Sequence, residues 1–536
     1  MPTSKEFCDK PLERGQARGQ DADGPTDATS ASRTSSGKAA TPPDAPSRKA
    51  ATPPDAPQDT TARHAAPPEA ATPPDAPSRK AVWARRAGAV LFFVAIAVLV
   101  DVALTFALEN YGMTHEVTWY DYRRTPQGTI DTLVVGSSFA SFGVNPAALD
   151  EALGSNTYNL STMAQTLPNS LACINTARKD HNVRRVILCI GPSSLQSVPQ
   201  YDRQVTFMQA KSLGEPLPEV LQNVGRVALD ADNFPKSKSL TWMFPWRYDM
   251  VDLNVDAILT NVHNRLTTSN PIEILPTHDE QWRYLGKGYC AYDSYLDYNT
   301  LTEDTLAVDV DTKFLPKNTG ELETLLDTCA QAGIEAYVVV APRPSYVNLS
   351  HQNDKYHKLM KSLQELVTKH GATYMDFNLT KPEFYRPDDV DFGDSQHLNI
   401  GGSERFSQAL GKMIAMKEAG ENTDELLYSY DQWDEYLASY EKVAFCYCET
   451  TMKGDEVRFK TTAITRPDIK AQYRFDVAPA GTEDFVTVRD YTASPKFTMP
   501  KPEQDVTVRA VARAANSEAP EDAWAYFINL ESREDV

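Results

Sequence analysis

The sequence predicts a three-layer α/β/α domain, preceded by an unstructured tail and one membrane-spanning helix, and followed by a small β-sandwich. Three observations carry this. Short apolar runs alternate with helical patterns between about residues 130 and 416, one long apolar stretch precedes them, and beyond about residue 445 apolar and polar residues alternate singly. Strand–helix alternation implies a mostly parallel sheet covered on both faces. Single alternation implies half-buried antiparallel strands.

The first 80 residues are rich in Pro, Ala, Ser, Thr and Asp, with the repeat Ala-Thr-Pro-Pro-Asp-Ala-Pro at 40–46, 51–57 and 71–77. Such a segment buries too little apolar surface to offset chain entropy, so no fold is expected of it. It serves as a tether or as a docking tail for a cytoplasmic partner.

Residues 87–108 form an apolar stretch broken only by Asp101. That is close to the ~20 residues that span hydrocarbon. Arg79, Lys80, Arg85 and Arg86 precede it, and Glu109 and Asp121 follow. Basic flanks stay cytoplasmic, which places the tail inside and the rest of the chain outside a single-pass cell-membrane protein. The long leader, without a small-x-small cleavage site, argues against a signal peptide. Asp101 lies near the outer end and is expected to reach towards the interface.

Composition narrows the function classes. A chain of 536 residues exceeds one domain, and a mean hydropathy of −0.44 excludes a multi-pass protein. A net charge of −20 argues against nucleic acid, which is read by basic surfaces. Cys8 lies in the tail, and the other cysteines lie where disulfides are permitted. Cys446 and Cys448 have no nearby histidine, so no zinc site is expected, and no metal or organic cofactor is implied.

Within a domain of about 115–420, strands are expected at 132–135, 157–160, 185–190, 336–340 and 373–377. Helices are expected at 146–153, 168–179, 319–332, 355–369 and 402–416. Residues 196–317 interrupt the alternation and include Trp242-Met243-Phe244-Pro245-Trp246-Arg247-Tyr248, which reads as a large insertion near the site. Ligands of such sheets gather at the carboxyl ends of the strands. Gly136-Ser137-Ser138, Gly191-Pro192-Ser193-Ser194 and Ala341-Pro342-Arg343-Pro344 fall there.

Serine becomes a nucleophile when a base takes its proton, and histidine titrates in the right range. The histidine needs an acid to orient it. Ser138 follows an apolar strand through Gly136, and Asp394 lies three residues before His397 in Gly393-Asp394-Ser395-Gln396-His397-Leu398-Asn399. Each fragment alone is a weak signal; together, in this order and in an α/β chain, they point to a Ser138, His397, Asp394 triad.

These blocks resemble those of the SGNH (GDSL-like) hydrolases. Gly136-Ser137-Ser138 is similar to the first, Asn159-Leu160-Ser161-Thr162-Met163-Ala164-Gln165 to the second, and Asp394-Ser395-Gln396-His397-Leu398-Asn399 to the last. The resemblance spans roughly 130–418 and implies a flavodoxin-like three-layer domain. It is nearest to membrane-anchored envelope members that transfer D-alanine or acetylate polysaccharides, often beside a multi-pass membrane-bound O-acyltransferase. Two positions depart from the pattern. Ser161 stands where glycine is usual and Ser193 where asparagine is usual, so the oxyanion would be held by the N–H groups of Ser138 and Ser161 with the Ser193 hydroxyl. Asn159 and Gln165 are alternative donors or loop-bracing residues. Arg343 would hold an anionic group of a glycan, or lie on the surface.

Residues 421–444, dense in Tyr and Trp, read as a helical linker, and 445–536 resemble an immunoglobulin-like β-sandwich that binds glycan or acts as a spacer. The expected function is acyl transfer or ester hydrolysis on acetyl or D-alanyl esters of an envelope glycan or teichoic-acid-like polymer. A stand-alone carboxylic-ester hydrolase and a non-catalytic envelope assembly or glycan-binding protein are the alternatives.

Overall fold

The computed structural model describes residues 79–191, 193–196, 202–229, 241–247, 253–275, 281–298, 301, 313–350 and 354–532. The expected tail and its repeats lie outside these residues. The chain divides into two compact units, 1–95 and 96–536. The boundary falls within helix α1, Arg79–Leu108. All described residues of the first unit are helical. Residues Val82–Leu108 are long and apolar enough to cross a membrane; an 18-residue window within them has a mean hydropathy of 2.7, and none of its residues is buried.

Asp101 does not simply reach outward. Its carboxylate accepts a hydrogen bond of 2.8 Å from the indole N–H of Trp246. The departure from expectation has a plain cause: an acidic group on an apolar helix is costly unless paired, and the insertion supplies the donor.

The second unit is built on a five-stranded sheet in the order β2-β1-β3-β6-β7, all parallel. The strands are β1 Thr132–Gly136, β2 Thr157–Asn159, β3 Arg185–Ile190, β6 Glu335–Val340 and β7 Thr373–Asp376. In register, Val134 pairs with Ile187 and Val135 with Leu188. Side chains alternate across a strand, and both faces are apolar here, which explains the unbroken runs in the sequence. Leu133 and Val135 face the side covered by α5 Leu167–Asp180, α10 Pro316–Gln331 and α12 Asp354–Lys369. Val134, Ile187 and Cys189 face the side covered by α4 Pro146–Leu153 and α13 Ile400–Glu418. The strand order reverses direction between β1 and β3, and ligands of doubly wound sheets sit at that crevice.

Local chemistry sets the helix starts on the second face. The Asn145 side chain accepts from the Ala147 N–H at 3.0 Å, with Pro146 at the first helical position. Asn399 does the same for α13, accepting from Gly402 N–H at 3.0 Å.

The insertion contributes α7 Asp202–Ser212, α8 Leu217–Leu229, α9 Val255–Thr267 and a hairpin of β4 Trp282–Tyr284 and β5 Cys290–Tyr292. Before it come α2 Thr114–Tyr122, α3 Ser138–Gly143 and the short α6 Ser193–Gln196. Between β6 and α12 lies α11 Ser345–Ser350.

Beyond the α/β region, among the described residues, only Trp433–Ala438, α14, is α-helical, flanked by a 3-10 turn at Tyr430–Gln432. Tyr430, Tyr436 and Tyr440 are buried, so the aromatic run is packing surface rather than one long linker helix. Seven antiparallel strands follow: β8 Val443–Lys453, β9 Glu456–Thr465, β10 Ala471–Pro479, β11 Val486–Thr492, β12 Lys496–Pro500, β13 Val506–Ala514 and β14 Ala523–Leu530. They form two sheets, β11-β10-β13-β14 and β12-β9-β8, joined by Phe459, Phe475 and Phe497. This sandwich shares one apolar core with the α/β region. At the junction Phe445 lies 5.4 Å from Tyr298 and 5.1 Å from Tyr346, with Trp524 5.1 Å from Tyr298.

The six described cysteines are buried and free. Burial pushes the thiols of Cys173, Cys189 and Cys290 up to about 12.

Gly136 ends β1 at φ +148°, and a Cβ there would lie 2.2 Å from the Cys189 carbonyl oxygen. Gly420 has φ +78° but open space around it. Gly136→Ala is therefore expected to cost ~2 kcal/mol or more, and Gly420→Ala only about 1 kcal/mol from backbone strain. Denaturant unfolding of both variants checks the order; equal losses would contradict the packing account of Gly136.

Candidate active site

The site is assembled from two turns at the carboxyl edge of the sheet. The first leaves β1 through Gly136, whose lack of a side chain lets the chain pass against Cys189 and turn into α3. Ser138 is the first residue of that helix. The N–H groups of a first turn have no acceptor within their helix.

The second turn carries Asp394 and His397. It is closed by hydrogen bonds from Gly393 N–H to the His397 carbonyl at 2.9 Å and from Asn399 N–H to the Asp391 carbonyl at 2.7 Å. The Asn399 amide donates to the Val390 carbonyl at 2.7 Å. Inside the turn, Asp394 Oδ1 accepts from the N–H groups of Gln396 and His397 at 2.7 and 2.8 Å. Its other oxygen, Oδ2, lies 2.8 Å from His397 Nδ1. His397 Nε2 lies 2.8 Å from Ser138 Oγ, across 259 residues of sequence. With Nδ1 donating to the carboxylate, Nε2 is the acceptor for the serine proton.

Electrostatics suit that arrangement. Burial alone would raise the Asp394 carboxyl, but the His397 hydrogen bond and charge, with the two N–H donors, outweigh it and hold it below the ordinary value. The carboxylate therefore stays charged and able to orient the ring.

Two aromatic rings pack against the histidine. Phe139 lies 5.6 Å and Phe142 5.4 Å from the imidazole, centroid to centroid. Phe142 is backed by Tyr292 at 5.5 Å and Trp282 at 6.2 Å, both from the hairpin in the insertion. A Cβ on Gly393 would lie 2.5 Å from Tyr292, so the triad turn and hairpin fit only with glycine there. The hairpin's role was not legible in the sequence beyond the aromatic richness of the insertion.

The other residues singled out from the sequence fall differently. Asn159 is fully buried and donates its amide to the carbonyls of Ala140 and Val144, each at 2.9 Å, bracing the end of α3. Its Oδ1 accepts from the Ser161 N–H at 3.1 Å and from the Ser161 hydroxyl. The Ser161 N–H is thus engaged rather than presented to a substrate oxygen, because the asparagine beside it is the nearer acceptor. Gln165 is buried and donates to Ser170 Oγ at 3.0 Å. Arg343 is neither a surface group nor an open anion site. It is buried, its N–H donates to Asn378 Oδ1 at 2.9 Å, and its guanidinium donates to the Tyr356 hydroxyl. Ser193 is exposed at the start of α6, just after β3. No cluster of metal-ligating side chains occurs among the described residues.

Comparison with known proteins gives little at the sequence level. No family model matches the chain. No curated protein matches it either. Among solved structures, one similar chain, from Desulfitobacterium hafniense DCB-2, is described as a lipolytic protein of the G-D-S-L family. It is 9% identical, with 53% of this chain and 98% of that chain covered and a TM-score of 0.24. A second, from Streptococcus pneumonia, is described as a platelet activating factor. It is 12% identical, with 59% and 96% covered and a TM-score of 0.25.

One group behind the triad turn titrates unusually. Asp389 is buried, and burial first of all raises its carboxyl from 3.8 to about 6, against hydrogen bonds from Tyr298 and Ser345. The folded chain then holds this proton more tightly than the unfolded chain. Its contribution to stability is present below the unfolded value and is lost as pH rises through about 4 to 6. Thermal unfolding of wild type and Asp389→Asn across pH 4–7 should show the wild type losing ground to the variant over that window. A constant difference would contradict the assignment.

Proposed function

We propose that this chain is a single-span, membrane-anchored serine acyltransferase or esterase, with its α/β domain outside the membrane, acting on acyl esters of a cell-envelope glycan. The observation that carries the reading is the continuous line from Ser138 Oγ through His397 to Asp394 Oδ2, with both hydrogen bonds at 2.8 Å.

In this reading Ser138 attacks an acyl carbonyl while His397 Nε2 takes its proton. Asp394 holds the ring and stabilises the imidazolium. His397 then returns the proton to the leaving alcohol, and the acyl-serine ester is resolved by water or by a sugar hydroxyl. The two outcomes share every residue and differ only in the acceptor. The oxyanion would be held by the N–H of Ser138, with the hydroxyl of Ser193 as the second donor. A weaker oxyanion site than one built on an asparagine amide costs rate, ~10²–10³ per donor lost, and suits a slow, dedicated acyl donor.

The anchor favours a surface-bound substrate over a free ester, and transfer over simple hydrolysis. Acetyl or D-alanyl groups on a glycan or teichoic-acid-like polymer fit this setting. A multi-pass membrane-bound O-acyltransferase would be the partner delivering the acyl group. The β-sandwich would hold the polymer or set its distance from the site.

A fluorophosphonate probe applied to the full chain should label wild type and fail on Ser138→Ala. Asp394→Asn should retain the fold and lose ~10²–10⁴ in labelling rate, through the wrong histidine tautomer. Equal labelling of wild type and Ser138→Ala would remove Ser138 as nucleophile. Cells lacking the protein should carry fewer envelope acyl esters; a rise would favour a hydrolase.

A further inference from the structure

Two helices of the insertion carry exposed apolar side chains. On α9, Val255, Leu259 and Leu266 share one face, and Leu259 and Leu266 are 61% and 71% exposed. Another side of the same helix, with Ile258, Asn261, Val262 and Arg265 half-buried, is the one that meets the chain. Asn261 donates its amide to the carbonyls of Ala107 and Glu109 at 3.0 and 2.8 Å and accepts from the Tyr111 N–H at 2.9 Å. Arg265 donates to the Glu109 carbonyl at 2.6 Å. On α8, Val227 packs with Phe207 and Trp242, while Leu217, Leu221 and Leu229 point outward.

While α9 is bonded directly to the end of α1, α8 is joined to it through α7 and the stretch that holds Trp242 and Trp246. Lys211 of α7 pairs with Glu109 at 2.8 Å. Trp242, against which α8 packs, belongs to the same short stretch as Trp246, and Trp246 binds Asp101. Asp101 precedes Leu108 by seven residues on one helix. At 1.5 Å per residue that is roughly 10 Å back along the apolar helix. The insertion therefore follows α1 below the level at which the helix ends.

We propose that the outward faces of α8 and α9 rest in the interfacial layer of the lipid bilayer, so that the insertion is a membrane-seated collar around the base of α1. This inference depends on reading α1 as membrane-spanning. Exposed apolar patches of this kind mark membrane or protein contacts. The occupant is lipid because α9 is bonded to the carbonyls at the end of the apolar helix, and Trp246 of the same insertion reaches Asp101 within it. Tryptophan is suited to that depth, with its ring in the apolar boundary and its N–H paired. Helices with one apolar and one polar face lie in the interface in this way.

The test uses the full chain, with Cys8→Ser, in nanodiscs of phosphatidylcholine and phosphatidylglycerol. Spin labels are placed one at a time through Leu221→Cys, Leu259→Cys and Leu266→Cys. Val90→Cys reports the middle of α1, and Val488→Cys the exposed surface of β11. The ratio of oxygen to nickel-complex accessibility is read by power saturation. At positions 221, 259 and 266 it should rise several-fold above that at 488, towards the value at 90. If 90 reads lipid while the three positions match 488, the collar is in water and the inference falls, with the anchor intact. Shielding of the three from both reagents would mean a protein covers them and also overturns it. A water-exposed label at 90 removes the anchor, and the inference with it.

Discussion

The separation between Ser138 and His397 is set by a turn of a few residues held at both ends by main-chain hydrogen bonds. Asn399 is central to that restraint. Its side chain caps α13 and binds the Val390 carbonyl, while its N–H binds the Asp391 carbonyl. Asp391 in turn receives Arg405 from α13 and the Asp388 N–H at 2.8 Å. A long helix, a strand-like bridge between Phe392 and Leu398, and the insertion through Leu296 all meet here. Each bond is modest alone, and removing one would leave a buried polar group unpaired.

The same economy appears on the serine side. Asn159 sits at the end of β2 and spends its amide on the last carbonyls of α3, so the strand beside the serine turn also fixes the helix that carries it. Gly136 allows the close passage against Cys189 that aims the turn. The hairpin from the insertion then presses Trp282 and Tyr292 behind Phe142. Three elements distant in sequence thereby hold one imidazole. Preorganisation of this kind lets a site act without rearranging at the moment of reaction.

What the sequence made legible follows from locality. The central strands were readable because both of their faces are buried, which leaves unbroken apolar runs such as Val186-Ile187-Leu188-Cys189-Ile190. Ser138 was readable from the strand end and glycine before it, and Asp394 with His397 from their spacing of three in one turn. The failures were non-local. Whether Arg343 points to solvent or to Tyr356 depends on a helix that follows it in sequence by more than a loop. Ser161 offers an N–H like any other residue, and only the fold brings Asn159 Oδ1 to it. The insertion 196–317 reads as lying near the site, and its hairpin packs behind the triad, but which of its aromatic residues do so is not local information: Trp246 binds the apolar helix instead. Among the insertion's described residues, those of the later hairpin support the triad.

The free cysteines carry a consequence of a different kind. All six described thiols are buried without disulfides, in a domain proposed to lie where oxidation is possible. While folded, the described cysteines offer an oxidant almost no thiolate, because reactivity requires both exposure and ionisation. The danger is confined to the nascent chain, before the sheet and sandwich close over these sulfurs. In such a compartment folding and oxidation would be in a race, and a chain that lingers unfolded would be trapped by wrong cross-links. In the finished protein the same sulfurs become a clock: each is modified only when its own neighbourhood opens, so their rates of modification would time the breathing of the core, strand by strand.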